Sequence, residues 1–158
     1  MSDVVQSLYG KRQRTRVCGI CTRQDQILLV NHIGLRQGDF WAPPGGGIQL
    51  MEPAEHALAR EIREETNLEV EVNEFLFACE YIKAPLHAIE LFFRVSTKAG
   101  TLQKGSDPEM KPDEQLIKSV RWIPWVELEK MPVDQLHGAF KKVAKPVQIL
   151  GLRGYFKL

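Results

Sequence analysis

The stretch from Pro53 to Thr66 is the clearest helix in the sequence, and it carries a contradiction. Pro53 suits a first helical turn, and Ala54, Ala57, Leu58, Ala59 and Ile62 favour or tolerate the helix. Asn67 stands where a helix often turns into the left-handed region. Successive helical residues rotate by about 100°. With Ala54 as origin, Ala57 falls at about 300°, Leu58 at about 40° and Ile62 at about 80°. That apolar arc should face the protein. Yet Glu61, at about 340°, and Glu65, at about 20°, lie inside it, with Glu64 at its edge at about 280°. Arg63 points away to solvent.

Carboxylates turned inward on one turn repel one another, and burial disfavours their charged form. Arg60 can neutralise one acid but not three. A divalent cation can serve the group, and carboxylate oxygens suit a hard ion such as Mg²⁺ or Mn²⁺. The i, i+3, i+4 spacing puts the three oxygens within reach of a common point. The competing reading is a surface helix rich in salt bridges. Ahead of the helix stand Gly45, Gly46 and Gly47, with Glu52 at its entrance. Glycines let backbone approach a ligand and expose N–H groups, as a phosphate cradle requires. The plainer reading of the three glycines is a tight strand-to-helix turn. Phosphate-binding backbone beside a carboxylate-held ion specifies a phosphate ester or anhydride as substrate.

The rest of the chain supplies a frame. Its 158 residues suit one domain, residues 1–158, able to bury a core without staples. Lys and Arg number 21 against 20 Asp and Glu, so no nucleic-acid arm or stable nucleic-acid complex is expected. No apolar run approaches a membrane span, and no signal peptide is visible at Met1, so the expected address is the cytoplasm. Cys18 and Cys21, three apart on a strand, point to opposite faces and cannot share an ion. Residues 1–10 are unpatterned, and Lys11, Arg12 and Arg14 form a basic entry to the sheet. Residues 15–31 read as a hairpin turning at 23–26, and Phe40 to Ala42 as a short strand stopped by Pro43. Leu68 to Val72, Phe75 to Ile82, Ala88 to Ser96 and Val120 to Ile123 read as strands, with a polar loop over 100–114. Val133 to Lys145 reads as an amphipathic helix with Val133, Leu136, Phe140 and Val143 on one side. The expected class is α+β, a mixed sheet flanked by helices.

The segment from Gly46 to Leu68 resembles the Nudix box, G-x5-E-x7-R-E-U-x-E-E-x-G-U with U a bulky aliphatic residue. Gly46, Glu52, Arg60, Glu61, Ile62, Glu64, Glu65 and Leu68 occupy its fixed positions, and only the last glycine departs, as Asn67. Asn is the next residue to accept a left-handed turn. Met51 stands where many relatives carry glycine. The flanks, Phe40 to Gly46 and Val120 to Pro124, look like the family's strands, so the resemblance covers about residues 15–145.

The resemblance implies an α/β/α sandwich with a mixed sheet between helices, and Mg²⁺-dependent hydrolysis of a nucleoside diphosphate linked to another moiety. It makes Glu61, Glu64 and Glu65 metal ligands, Glu52 a support for the metal shell, and Arg60 the ion pair that orients the acids. It brings the Gly46 backbone against metal or phosphate, with Gly45 and Gly47 beside it. The base is not transferred by the motif; the candidates are Glu64 and, on the polar loop, Glu109, Asp113 and Glu114. Phe40, Trp41, Phe77 and Tyr81 are candidate stacking partners for a nucleobase, though core packing is the plainer role for each. Arg16, Arg23 and Arg36 are candidate phosphate or ribose contacts, with surface solvation as the plainer role, and the four histidines show no ligand spacing. Pro85 lies near the place where relatives acting on ADP-ribose carry a proline, which leans the substrate toward ADP-ribose or a nucleotide sugar, ahead of nucleoside triphosphates. A small-molecule nucleotide is the expected partner, and homodimerisation is common in the family. The alternative is a Nudix-like sensor that binds a nucleotide without cleaving it.

Overall fold

The computed structural model describes residues 10–35, 37–106, 108 and 110–158. Strands β1 (Gln13–Arg23) and β2 (Gln26–His32) form the expected hairpin, closed at Thr22 and Ile27. Then come β3 (Phe40–Ala42), β4 (Gly45–Gly47), α1 (Ala54–Thr66), β5 (Glu69–Lys83) and β6 (Leu86–Ala99). The chain ends with β7 (Ile117–Pro124), α2 (Trp125–Leu128) and β8 (Gly154–Lys157). The sheet is mixed. β1 runs parallel to β6 and antiparallel to β4, while β2 pairs antiparallel with both β3 and β7. β5 lies between antiparallel β6 and parallel β8.

Alternation along β1 sends side chains to two cores. Val17 and Cys21 join Leu28, Val95 and the α1 residues Ala57, Leu58 and Ile62. Cys18 and Ile20 join Leu29, Trp41, Phe77, Phe92, Leu136 and Phe140 on the opposite face. The two cysteines therefore sit in separate cores, as free thiols. With α1 over one face and the 125–151 segment over the other, the fold is the expected α+β sandwich.

Three expectations change. The segment from Val133 to Lys145 is not a helix but 3₁₀ turns at Val133–Gln135 and Gly138–Lys142, followed by another at Pro146–Gly151. Leu136 is extended and bridges to Trp41, whose carbonyl accepts from the His137 N–H at 2.8 Å. A continuous helix would break that bond, and Gly138 weakens helix at its centre. Leu136 and Phe140 are buried as expected, but Val133 is exposed. Second, β5 continues through 69–83 with irregular register near Val72 and Phe75, where two separate strands were expected. Third, the three glycines are a strand against β1 and not a turn entering the helix.

Candidate active site

Helix α1 ends as expected, with Asn67 left-handed at φ 60°. Its last carbonyls are covered by the polar loop: Gln103, Gly105 and Ser106 donate backbone N–H to Thr66, Glu65 and Glu64 at 3.0, 2.9 and 3.2 Å. This satisfies the acceptors that a helix end leaves open. The approach is close enough that a Cβ on Gly105 would lie 1.7 Å from the Glu64 carbonyl oxygen. The acid-bearing turn is thereby held from both sides. Glu65 is 6% exposed, Glu61 and Glu64 are half-buried, and Arg63 faces solvent. The helical register read from the sequence holds.

Arg60 is the hub of the acids. Its Nε and Nη2 donate to Glu52 at 2.8 and 2.9 Å, and its Nη1 to Glu61 at 2.9 Å and Glu64 at 3.2 Å. Nη2 also donates to the Gly47 carbonyl at 3.2 Å. The Arg60 hydrogen bonds hold the Glu52 carboxyl down at about 2, while burial pushes Glu61 upward against the pull of Arg60. Glu65 is held differently: its Oε2 accepts the Gly45 N–H at 2.9 Å, and His32 Nε2 lies 3.7 Å from its Oε1. The Gly45 N–H is therefore spent on an acid and is no free phosphate donor, contrary to the cradle expected of this glycine. Gly46 is bare for a visible reason, since a Cβ there would lie 2.2 Å from the Glu61 carboxyl.

The acids border a cavity of about 1050 Å³. Glycines 45–47, Tyr81, Pro85 and Lys142 line it, together with a polar floor. In that floor Glu90, 3% exposed, accepts from Arg16 Nη1 at 2.7 Å and from His137 Nε2 at 2.8 Å. His137 Nδ1 accepts the Ala139 N–H at 3.2 Å, which assigns the remaining ring proton to Nε2, facing Glu90. Burial would raise the Glu90 carboxyl, but His137 and Arg16 outweigh it and hold it at about 2. Burial lowers His32 to about 4. Among the described residues, Arg16 Nε and His32 Nδ1 are buried and have no hydrogen-bond partner.

Several expectations are redrawn here. Arg16 is not surface-solvated but sits in the cavity floor. His32 and His137, read as ordinary, are buried against Glu65 and Glu90. Phe77 stacks on Phe92 in the core, with centroids 4.4 Å apart, while Phe40 and Tyr81 line the cavity. Arg23 lies over Trp122, away from the acids. Arg36, Glu109 and the side chain of Glu114 lie outside the described residues, and Asp113 is exposed. Glu90 was missed, though a lone acid in the β-rich run Ala88 to Ser96 was the available signal.

Among the described residues, no three His, Cys, Asp or Glu side chains converge as a ready ion cage. Arg60 draws Glu61 and Glu64 toward itself, and Gly45 holds Glu65. The donor set nevertheless fits a hard divalent ion, because it consists of carboxylate oxygens facing a glycine that leaves space for them.

The NUDIX domain family model matches residues 11–144. The chain belongs to the Nudix family. A MutT-like protein of Streptomyces ambofaciens is 33% identical over 104 residues, covering 62% of this chain and 64% of that protein. Nudix hydrolase 2 of Arabidopsis thaliana is 27% identical over 118 residues, covering 73% of this chain and 40% of that protein. The chain thus spans less than two thirds of either curated relative. The crystal structure of a MutT Nudix hydrolase from Burkholderia pseudomallei superimposes with a TM-score of 0.67 at 23% identity, covering 84% of this chain and 95% of that one.

Proposed function

We propose that the protein is a divalent-metal-dependent hydrolase that cleaves the pyrophosphate bond of a nucleoside diphosphate linked to another moiety. One observation carries this reading: Glu61, Glu64 and Glu65, from one helical turn, border a large cavity beside a glycine strand. Carboxylates are costly to bury, and a merely structural helix would place them on its solvent face. Glu61, Glu64 and Glu65 would hold Mg²⁺ or Mn²⁺. Bound there, the ion would neutralise phosphate oxygens and lower the pKa of the attacking water. Arg60 pairs with Glu52, Glu61 and Glu64 and orients them, a supporting role. Gly46 and Gly47 line the approach without side chains, so a pyrophosphate can come close to the acids. Glu64, at the more open edge of the set, is the base assigned to the water's proton, with Glu114 the next candidate.

The moiety beyond the pyrophosphate belongs in the rest of the cavity. Its volume is at the upper end of ligand pockets, which suits a two-part nucleotide. Tyr81 near the end of β5 and Pro85 in the β5–β6 connection form one wall. The substrate lean is to ADP-ribose or a nucleotide sugar, ahead of nucleoside triphosphates.

The test is nucleotide release from ADP-ribose, nucleotide sugars and triphosphates with and without Mg²⁺. Mg²⁺-dependent cleavage of the diphosphate-linked compounds is expected. Binding without turnover across the panel would identify a sensor and overturn the hydrolase. Glu65→Gln is expected to abolish turnover while circular dichroism and melting remain near wild type. Unchanged kcat in that variant would remove Glu65 from the proposed metal site.

A further inference from the structure

The cavity floor and the acid helix are joined by a run of hydrogen bonds that passes through the backbone of Gly45. Ala139 N–H donates to His137 Nδ1, and His137 Nε2 pairs with Glu90 Oε2 at 2.8 Å. Glu90 Oε1 accepts from Arg16 Nη1 at 2.7 Å. Arg16 Nη2 donates to the Gly45 carbonyl at 3.2 Å, and the Gly45 N–H donates to Glu65 Oε2 at 2.9 Å. The run crosses the sheet from the 138–142 turn through β6, β1 and β4 to α1.

We propose that Glu90 is a positioning residue for Glu65, acting through the Arg16 guanidinium and the Gly45 backbone, whose carbonyl and N–H belong to the peptide units on either side of its Cα. The inference rests on the metal-site reading above. Three features of the structure carry it. First, Gly45 has no room to adjust by other means, since even a Cβ would lie 2.0 Å from the Val17 carbonyl oxygen. Pairing with Cys18 of β1 holds the two peptide units that flank its Cα, so a shift on the carbonyl side is felt on the N–H side. Second, Arg16 uses two different nitrogens for its two partners, so the planar guanidinium fixes the Gly45 carbonyl relative to Glu90. Third, Glu90 is a costly way to fill the floor. A buried ion pair is often no more stabilising than well-packed apolar side chains of similar volume. A role in placing Arg16 accounts for an acid where well-packed apolar side chains would serve stability as well.

The experiment measures Mn²⁺ affinity by isothermal titration calorimetry on folded protein without substrate. It compares wild type with Glu90→Gln and Arg16→Lys. Gln preserves shape but has only one oxygen acceptor for the two donors that Glu90 serves. Lys preserves charge but is a point donor that cannot span Glu90 and Gly45 as a guanidinium does. Each variant is expected to bind Mn²⁺ about tenfold more weakly, a loss of about 1.4 kcal/mol. Circular dichroism and melting confirm that the protein compared is folded. A stability role alone would lower the melting temperature and leave the affinity of the folded fraction unmoved. Wild-type affinity in a folded variant would overturn the proposal. If Glu90→Gln does not fold, the Arg16→Lys result decides on the same criterion, and if neither folds the residues are structural and the proposal fails. A wild-type protein that binds no Mn²⁺ would instead bring down the metal-site reading, which separates the two failures.

Discussion

Neighbouring glycines in β4 meet different obstacles, and their substitution should separate folding from chemistry. A methyl on Gly45 would press on backbone, 2.0 Å from the Val17 oxygen and 2.8 Å from the Cys18 Cα. Backbone in a paired strand cannot yield cheaply, so Gly45→Ala is expected to cost about 3 kcal/mol of stability in urea unfolding. A methyl on Gly46 would press instead on the Glu61 carboxyl at 2.2 Å. That group can swing aside at modest cost, but only by leaving Arg60 and the acid cluster. Gly46→Ala should therefore keep a near wild-type melting temperature and lose about 10²-fold in kcat/KM, since a displacement near 1 Å can cost that much. The opposite pattern, with Gly46→Ala unfolding and Gly45→Ala active, would refute the assignment of β4 to this site. Met51 offers a gain. It stands at φ 66° and is 93% exposed, so it bears left-handed strain without compensating burial. Met51→Gly is expected to gain up to about 1 kcal/mol in the same unfolding measurement. The glycine that many relatives carry there is accounted for by this backbone angle.

At the scale of elements, α1 is an apolar wedge on one face and an acid carrier at its end. Arg60 lets the two roles coexist by pairing with Glu52, Glu61 and Glu64 at once. Arg60→Ala leaves these carboxylates without their shared cation. In chelator the variant is expected to lose about 2 kcal/mol, with partial exposure of the pairs moderating the full cost of a broken buried pair. Mg²⁺ should then raise its melting temperature more than it raises that of wild type, because the ion takes over the missing charge. An equal rise in both, followed by differential scanning calorimetry, would show that the acids do not hold the ion. This helix was legible because its evidence is local: a 3.6-residue period, a left-handed stop at Asn67 and acids in the wrong arc. The segment after Pro132 was not. Leu136 and Phe140 satisfy a helical period and equally an extended residue followed by a 3₁₀ turn, and the deciding bond runs to Trp41, far back in the sequence. The same limit hid the cavity floor. Glu90 lies 74 positions from Arg16 and 47 from His137, and only the parallel pairing of β1 with β6 brings the first pair together. The short β8 gave no period long enough to read.

Across the whole molecule, Glu90 ties β1, β6 and the 138–142 turn at the point where the sheet meets the segment that covers it. This connection makes its charge a contributor to global stability as well as to the site. The carboxyl stands at about 2 in the folded protein against an ordinary value of 4.5. A carboxyl depressed by folding stabilises fully above its unfolded pKa, and the contribution is lost as pH falls toward the folded value. The relevant window is therefore pH 4.5 down to about 2. Comparing wild type with Glu90→Gln isolates the effect, because every other titrating group is common to both. The stability advantage of wild type over the variant is expected to be constant from pH 7 to pH 5. It should then shrink by about 2 kcal/mol on reaching pH 3, and continue to fall below that. Urea unfolding at half-unit pH intervals measures the difference directly. A difference that stays flat through pH 3 would mean that Glu90 does not carry its charge into the folded core, and that Arg16 and His137 are held there by other means.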